Sequence, residues 1–236
     1  MASPAEALLS ISETFVSRQG EGKLTGVDSF FIRINGCNLR CWFCDTPYAS
    51  WNPSGSQCSV ADLLREAESS THRHVVITGG EPLLAKAYES LVRTLQASGF
   101  HVTIETAGTL DKPLGCDLLS LSPKLSDSTP DPDEHAKWSI RHEQRRLPLE
   151  TMKRLIEAAV DYQLKFVVSK TSPRDEILGV VDGLDVPPEN VFLMPQGTTI
   201  QEMKEATTWL IPLCDQTGFQ YCDRMQIHWF GNRRGT

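Results

Sequence analysis

Apolar residues recur along this chain in short runs separated by polar stretches rich in Gly and Pro, and most runs have the length of buried strands. Residues 28–34, with Phe30, Phe31, Ile32 and Ile34, read as a strand, and 74–77, 101–104, 118–121, 164–168 and 191–194 read the same way. Between them the spacing changes to that of amphipathic helices: 60–67 behind a Ser59 N-cap, 84–97 stopped by Gly99, 149–159, and 200–213 before Gly218. Strands alternating with helices imply right-handed crossovers and a parallel sheet, open or curved toward a barrel. Residues 125–148 break the rhythm with Pro, Asp, Ser and charge. They predict a surface excursion carrying at most an irregular helix, inside a single domain spanning 1–236.

The polar residues gather where such a fold keeps its chemistry. Cys37, Thr78, Glu81, Glu105, Ser122, Lys124 and Gln196 fall at or just past the C-terminal ends of predicted strands. Cys37, Cys41 and Cys44 crowd one loop, and three thiolates there can hold three irons of a [4Fe-4S] cube, leaving the fourth open to a small molecule. A zinc site would want a fourth ligand, and no other cysteine or histidine lies near this loop. A disulfide framework is disfavoured by the odd count of 7 cysteines and by the lack of an export signal over 1–16. Cys58, Cys116, Cys214 and Cys222 read as small, partly buried thiols.

Composition narrows the partners. A length of 236 residues at 40% hydrophobic content supports one sizeable core. Lys plus Arg total 23 against 30 Asp plus Glu, a net charge of −7 that argues against nucleic-acid binding. No apolar run approaches the ~20 residues of a membrane span, so no membrane partner and a cytoplasmic location are expected.

The cysteine loop followed by a strand ending in Thr78-Gly79-Gly80-Glu81-Pro82 resembles the radical S-adenosylmethionine (SAM) superfamily. Further segments narrow the likeness. Residues 12–22, Phe31-Ile32-Arg33, Cys44-Asp45-Thr46, 105–109, Ser122-Pro123-Lys124, 165–168, 194–197 and 224–228 are similar to the 7-carboxy-7-deazaguanine synthases. The resemblance implies a partial (β/α)6 TIM-like barrel, a [4Fe-4S] cluster, S-adenosylmethionine and Mg²⁺. It implies a lyase that converts 6-carboxy-5,6,7,8-tetrahydropterin to 7-carboxy-7-deazaguanine with loss of ammonia, toward queuosine and other 7-deazapurines. A homodimer served by an electron donor such as flavodoxin or ferredoxin comes with it.

Residue roles follow by position. Cys37, Cys41 and Cys44 would carry the cluster, and Thr46 would offer a hard oxygen to Mg²⁺, against the plain alternative of a turn threonine. Gly79, Gly80 and Glu81 would meet the methionine part of the cofactor, and Ser122, Pro123, Lys124 and Gln196 its carboxylate, ribose or adenine. Arg33 suits a substrate carboxylate, with a strand ion pair as the alternative. Arg18, Gln19, Gly20, Glu21, Thr78, Glu105 and His228 would contact the pterin, while His228, following an alternating segment, also suits a satisfied core histidine. Some compact members end soon after the His228 equivalent and place a terminal carboxylate near the substrate; here residues 229–236 follow, and that contact is not expected. Two rivals stand beside this reading. A glycyl-radical activase shares the cysteine spacing but acts on a polypeptide, whereas a nonenzymatic metal-binding module has no use for the polar strand ends.

Overall fold

The structure, a computed structural model, describes residues 4–169 and 172–236. In chain order the elements are β1 (Leu8–Arg18), β2 (Asp28–Ile34), β3 (Ser56–Ser59), α1 (Val60–Ser69), β4 (His74–Gly79), α2 (Tyr88–Ala97), β5 (His101–Thr106) and β6 (Leu118–Leu121). There follow α3 (Pro132–Glu143), α4 (Leu149–Ala158), β7 (Tyr162–Val168), α5 (Arg174–Leu184), β8 (Val191–Pro195), α6 (Ile200–Thr217), β9 (Gln220–Tyr221) and α7 (Met225–Phe230). The strands form one open sheet in the order β3-β1-β2-β4-β5-β6-β7-β8-β9. From β2 to β9 all pairings are parallel, and β1 runs antiparallel to both β2 and β3 at one end.

Period-two alternation divides the sheet into an apolar face and a chemical one. Phe30, Ile32 and Ile34 of β2, Val75 and Ile77 of β4, Val102 and Ile104 of β5, and Leu164, Phe166 and Val168 of β7 join one core beneath the helices. The residues between them, Phe31 and Arg33, Thr78, Glu105, and Lys165 and Val167, line a cavity on the opposite face. The helices are amphipathic in register with this division: α1 buries Val60, Leu63 and Ala67, and α2 buries Tyr88, Leu91, Val92 and Leu95. The Ser59 cap closes as a full capping box with Asp62.

All six predicted strands are present, and the 125–148 stretch holds one kinked helix. This helix, α3, is capped by the Asp131 side chain with Pro132 in the first turn and bent at His135. Among the described residues no helix is long and apolar enough to cross a membrane.

Candidate active site

The strand ends converge on a cavity of about 510 Å³. Seven Lys or Arg residues line it against three Asp or Glu, a cationic basin in a chain whose net charge is −7. Focused positive charge of this kind draws small carboxylates.

The cysteine loop forms one wall. Gly36, at φ +100°, turns the chain out of β2, and its backbone is held on both sides: its N–H donates to Ala49 O at 2.8 Å and its carbonyl accepts from Glu81 N at 2.8 Å. A Cβ on Gly80 would sit 2.2 Å from Gly36 O and 2.6 Å from Ala49 O, so only glycine permits that contact. Cys37, Cys41 and Cys44 all reach the cavity. Burial pushes the Cys37 thiol up to about 11 and Cys41 to about 12, so a bound cation is needed to keep them as thiolates. Leu39 N–H donates to Cys37 Sγ at 3.4 Å, and Ser50 Oγ lies 3.1 Å from Cys44 Sγ, the type of outer contact that tunes an iron–sulfur group. No three His, Cys, Asp or Glu among the described residues gather tightly around one point as a single-ion site requires. Thiols spread around one end of a cavity fit a cube whose irons occupy separate corners. The Thr46 hydroxyl, 3.7 Å from Cys44 Sγ, reaches the same space.

Residues 125–148 clamp this loop from outside. Ser128 O accepts from Trp42 N at 3.2 Å, and Asp127 O accepts from Trp42 Nε1 at 2.7 Å. His142, fully buried, accepts Arg40 N–H at Nδ1 over 3.2 Å, which assigns the proton to Nε2. Nε2 then donates to Ser128 Oγ at 2.8 Å, and that hydroxyl donates onward to Leu125 O at 2.6 Å. The Arg40 guanidinium lies 4.0 Å from the Trp138 ring centre and donates to Cys37 O at 2.8 Å.

At the strand ends, Glu105 accepts from Gln19 Nε2 at 3.1 Å and from Thr78 Oγ1 at 2.8 Å, leaving further lone pairs toward the cavity. Lys124 Nζ donates to Ser122 O and Oγ, both at 2.7 Å. Glu21 is fully engaged by protein: it accepts from Lys165 Nζ, from Arg224 Nε at 3.3 Å and from Gln226 Nε2 at 2.6 Å. Burial alone would raise the Glu21 carboxyl, but Lys165 and Arg224 outweigh it and hold the group well below the usual carboxylate range. Arg224 also pairs with Asp45, one residue beyond Cys44, and so ties α7 to the cysteine loop. Arg33 Nε donates to Glu13 Oε1 at 2.7 Å, and among the described residues no hydrogen bond engages its terminal amines.

Sixteen residues singled out in the sequence therefore line one cavity: Cys37, Cys41, Cys44, Thr46, Gly79, Gly80, Ser122, Lys124, Gln196, Arg18, Gln19, Gly20, Glu21, Arg33, Thr78 and Glu105. Three lie elsewhere. Glu81 is wholly buried beside it, accepting from Leu83 N, Thr106 Oγ1 and Ala107 N, and so shapes the Gly-Gly turn from behind. Pro123 is buried between the half-buried Ser122 and Lys124 and does not line the cavity. His228 sits on α7 rather than on an alternating strand; Ile227 is buried, and the helical turn carries His228 outward to Asp223, 3.1 Å from Nε2. Lys165, Arg224, Gln226, Tyr48 and residues 231–236 also line the cavity, although the sequence alone assigns them no role. Lys165 carries a signal, a lone charge inside an apolar strand.

Comparison with known proteins agrees with this geometry. The Radical SAM superfamily profile matches residues 31–172. The chain is 56% identical over 98% of its length, and 90% of the relative's, to a 7-carboxy-7-deazaguanine synthase of Rhodopirellula baltica. It is 42% identical over 93% of its length, and 89% of the relative's, to one of Halobacterium salinarum. The crystal structure of QueE from Escherichia coli superposes with a TM-score of 0.66 at 27% identity, covering 92% of this chain and 93% of that one. The three-cysteine loop, the Gly-Gly strand end and likeness across nearly the whole length place the chain in the 7-carboxy-7-deazaguanine synthase family of the radical SAM superfamily.

Proposed function

We propose that the chain converts 6-carboxy-5,6,7,8-tetrahydropterin to 7-carboxy-7-deazaguanine with loss of ammonia. The observation that carries this reading is the meeting, in one cationic cavity, of three free cysteines, a Gly-Gly strand end and an arginine whose terminal amines are open to a ligand. The family's cofactors are a [4Fe-4S] cluster, S-adenosylmethionine and Mg²⁺; when bound, the first two supply reductive carbon–sulfur cleavage and hydrogen-atom abstraction.

The chain's own residues supply binding and orientation. Cys37, Cys41 and Cys44 hold the iron, and Thr46 offers a hydroxyl to Mg²⁺. Gly79 and Gly80, without Cβ atoms, let the backbone approach the methionine part, while Lys124 presents a cation to its carboxylate beside Ser122 and Gln196. The terminal amines of Arg33 take the substrate carboxylate in a two-pronged grip. Glu105, backed by Gln19 and Thr78, accepts from the amino and ring N–H groups of the pterin edge. Glu21 orients Lys165 and Arg224 rather than reading the pterin directly. Holding the pterin still near the cofactor, away from water, is what the residues contribute to rate. A cytoplasmic setting, a flavodoxin- or ferredoxin-type donor and a homodimer belong to the same proposal, by likeness to the family.

The test is anaerobic reconstitution with S-adenosylmethionine, reductant, Mg²⁺ and the carboxytetrahydropterin, following the deazaguanine and ammonia. Product formation abolished by Cys41→Ala supports the reading. Cofactor cleavage without that product removes the substrate and points to a polypeptide-directed activase; absence of a cluster removes the enzyme class.

A further inference from the structure

Arg33, the group that offers its terminal amines to a carboxylate, is not alone at its end of the cavity. Glu13 lies against it, and a carboxylate at 2.7 Å cancels most of the field that a second carboxylate would meet. Glu13 is ionised there: burial works against the charge, but the Tyr48, Arg33 and Arg234 hydrogen bonds prevail and hold it below its ordinary value. Its second oxygen accepts from Arg234 Nε at 2.8 Å. Arg234 is also fixed by Ser12 O at 2.9 Å and by the Tyr48 ring, 4.3 Å from its guanidinium carbon. It stands in residues 231–236, which line the same cavity. The nearby Asp45 is committed to Arg224.

We propose that Arg234 is a specificity-determining residue of the carboxylate end: it offsets Glu13, so that Arg33, Glu13 and Arg234 together carry one net positive charge and admit one substrate carboxylate. The inference rests on the function proposed above. Without Arg234 the Arg33–Glu13 pair is neutral, and a carboxylate ligand loses one unit of nearby positive charge, with Arg233 and the other cations of the cavity unchanged, while an uncharged ligand of the same ring system loses nothing. Partial exposure of Arg234 moderates the effect to about five-fold in affinity.

The experiment measures binding of 6-carboxypterin and of pterin, which lacks the carboxylate, to the cluster-loaded enzyme with S-adenosylmethionine and Mg²⁺. The proteins are wild type, Arg234→Gln, Glu13→Gln and the double variant. Arg234→Gln is expected to weaken 6-carboxypterin about five-fold and leave pterin unchanged, with the difference shrinking at high salt. The double variant, which restores one net charge while the new amide oxygen at position 13 still accepts from Arg33, is expected to regain the lost affinity. Equal weakening of both ligands, or no recovery in the double variant, would make Arg234 a mere cover and overturn the proposal. Wild type that prefers 6-carboxypterin while Arg234→Gln matches it overturns this inference alone; wild type that binds neither pterin removes the functional reading with it.

Discussion

His142 offers a quantitative handle on how the cysteine loop is held. The ring is fully buried and neutral, accepting Arg40 N–H and donating to Ser128. Burial, with smaller help from Arg146 and Lys124 and against Glu143, lowers its pKa from 6.5 to about 4. The unfolded chain therefore binds a proton that the folded chain refuses between those values. Stability from this group is complete above pH 6.5, falls as pH drops toward 4, and is level below, where both states are protonated. Between pH 7 and pH 5 the loss amounts to about 2 kcal/mol. Asn at this position places an amide oxygen near the place of Nδ1 and titrates nowhere, so anaerobic urea unfolding of His142→Asn is expected to lack that part of the slope. His74, lowered by burial and by His101, contributes equally to both proteins and cancels. Glu21, whose folded pKa is depressed, loses its contribution only as pH falls below the ordinary glutamate range, beneath this window. Equal slopes in wild type and variant would refute the buried neutral tautomer. His142→Leu, which strands Arg40 N–H and takes one donor from Ser128 Oγ while its bond to Leu125 O remains, should cost about 1–3 kcal/mol at every pH.

Other perturbations reach the remaining supports. Glu21→Gln leaves buried Lys165 without its paired carboxylate, while Arg224 keeps Asp45, and should cost about 3–5 kcal/mol in urea unfolding at pH 7; a loss below about 1 kcal/mol would mean the network is solvated. Gly80→Ala drives a Cβ onto two backbone oxygens, so anaerobically purified protein should contain markedly less iron than wild type; full iron content would show that the loop yields. Thr46→Ala should raise the Mg²⁺ concentration for half-maximal turnover about ten-fold or more while iron content stays constant, and an unchanged Mg²⁺ response would take the hydroxyl off the ion.

What is legible in the sequence follows from how each element is stabilised. Strands β2 and β4 to β8 bury one face under helices and announce themselves as apolar runs. Strand β1 does not, because Ser12, Glu13, Thr14, Ser17 and Arg18 interrupt its apolar positions and the strand is only half covered. Helix α5 carries Gly179 and Gly183 within its span, which weakens the helical signal although Ile177, Val180, Val181 and Leu184 are buried. Helix α7 is short, and its Met225–Phe230 run alternates well enough to pass for a strand, which suggests a core histidine at 228, while only the family likeness points that residue at the site. Glu81 has the motif of a ligand, yet nothing local shows that three donors from Leu83, Thr106 and Ala107 consume its oxygens.

The cysteine loop explains why the excursion and the C-terminal segment stay silent. A loop that must keep three sulfurs in fixed positions has no helix or strand of its own to hold it, since residues 35–50 form neither. Its rigidity comes from three remote directions: Gly80 and Glu81 through the backbone of Gly36, His142 and Ser128 through Arg40 and Trp42, and Arg224 through Asp45. The partners stand as far as 179 residues away in sequence. Such contacts leave no periodicity for a local reading to detect, and closing loops of this length costs little more chain entropy than closing shorter ones. The 125–148 stretch looks like a surface insertion because its contacts with the loop run through His142 and the backbone carbonyls of Asp127 and Ser128, which no local pattern marks. Deleting it should therefore release iron before it unfolds the sheet, since the core beneath the helices includes from that stretch only Leu125 and, at its edge, Leu147.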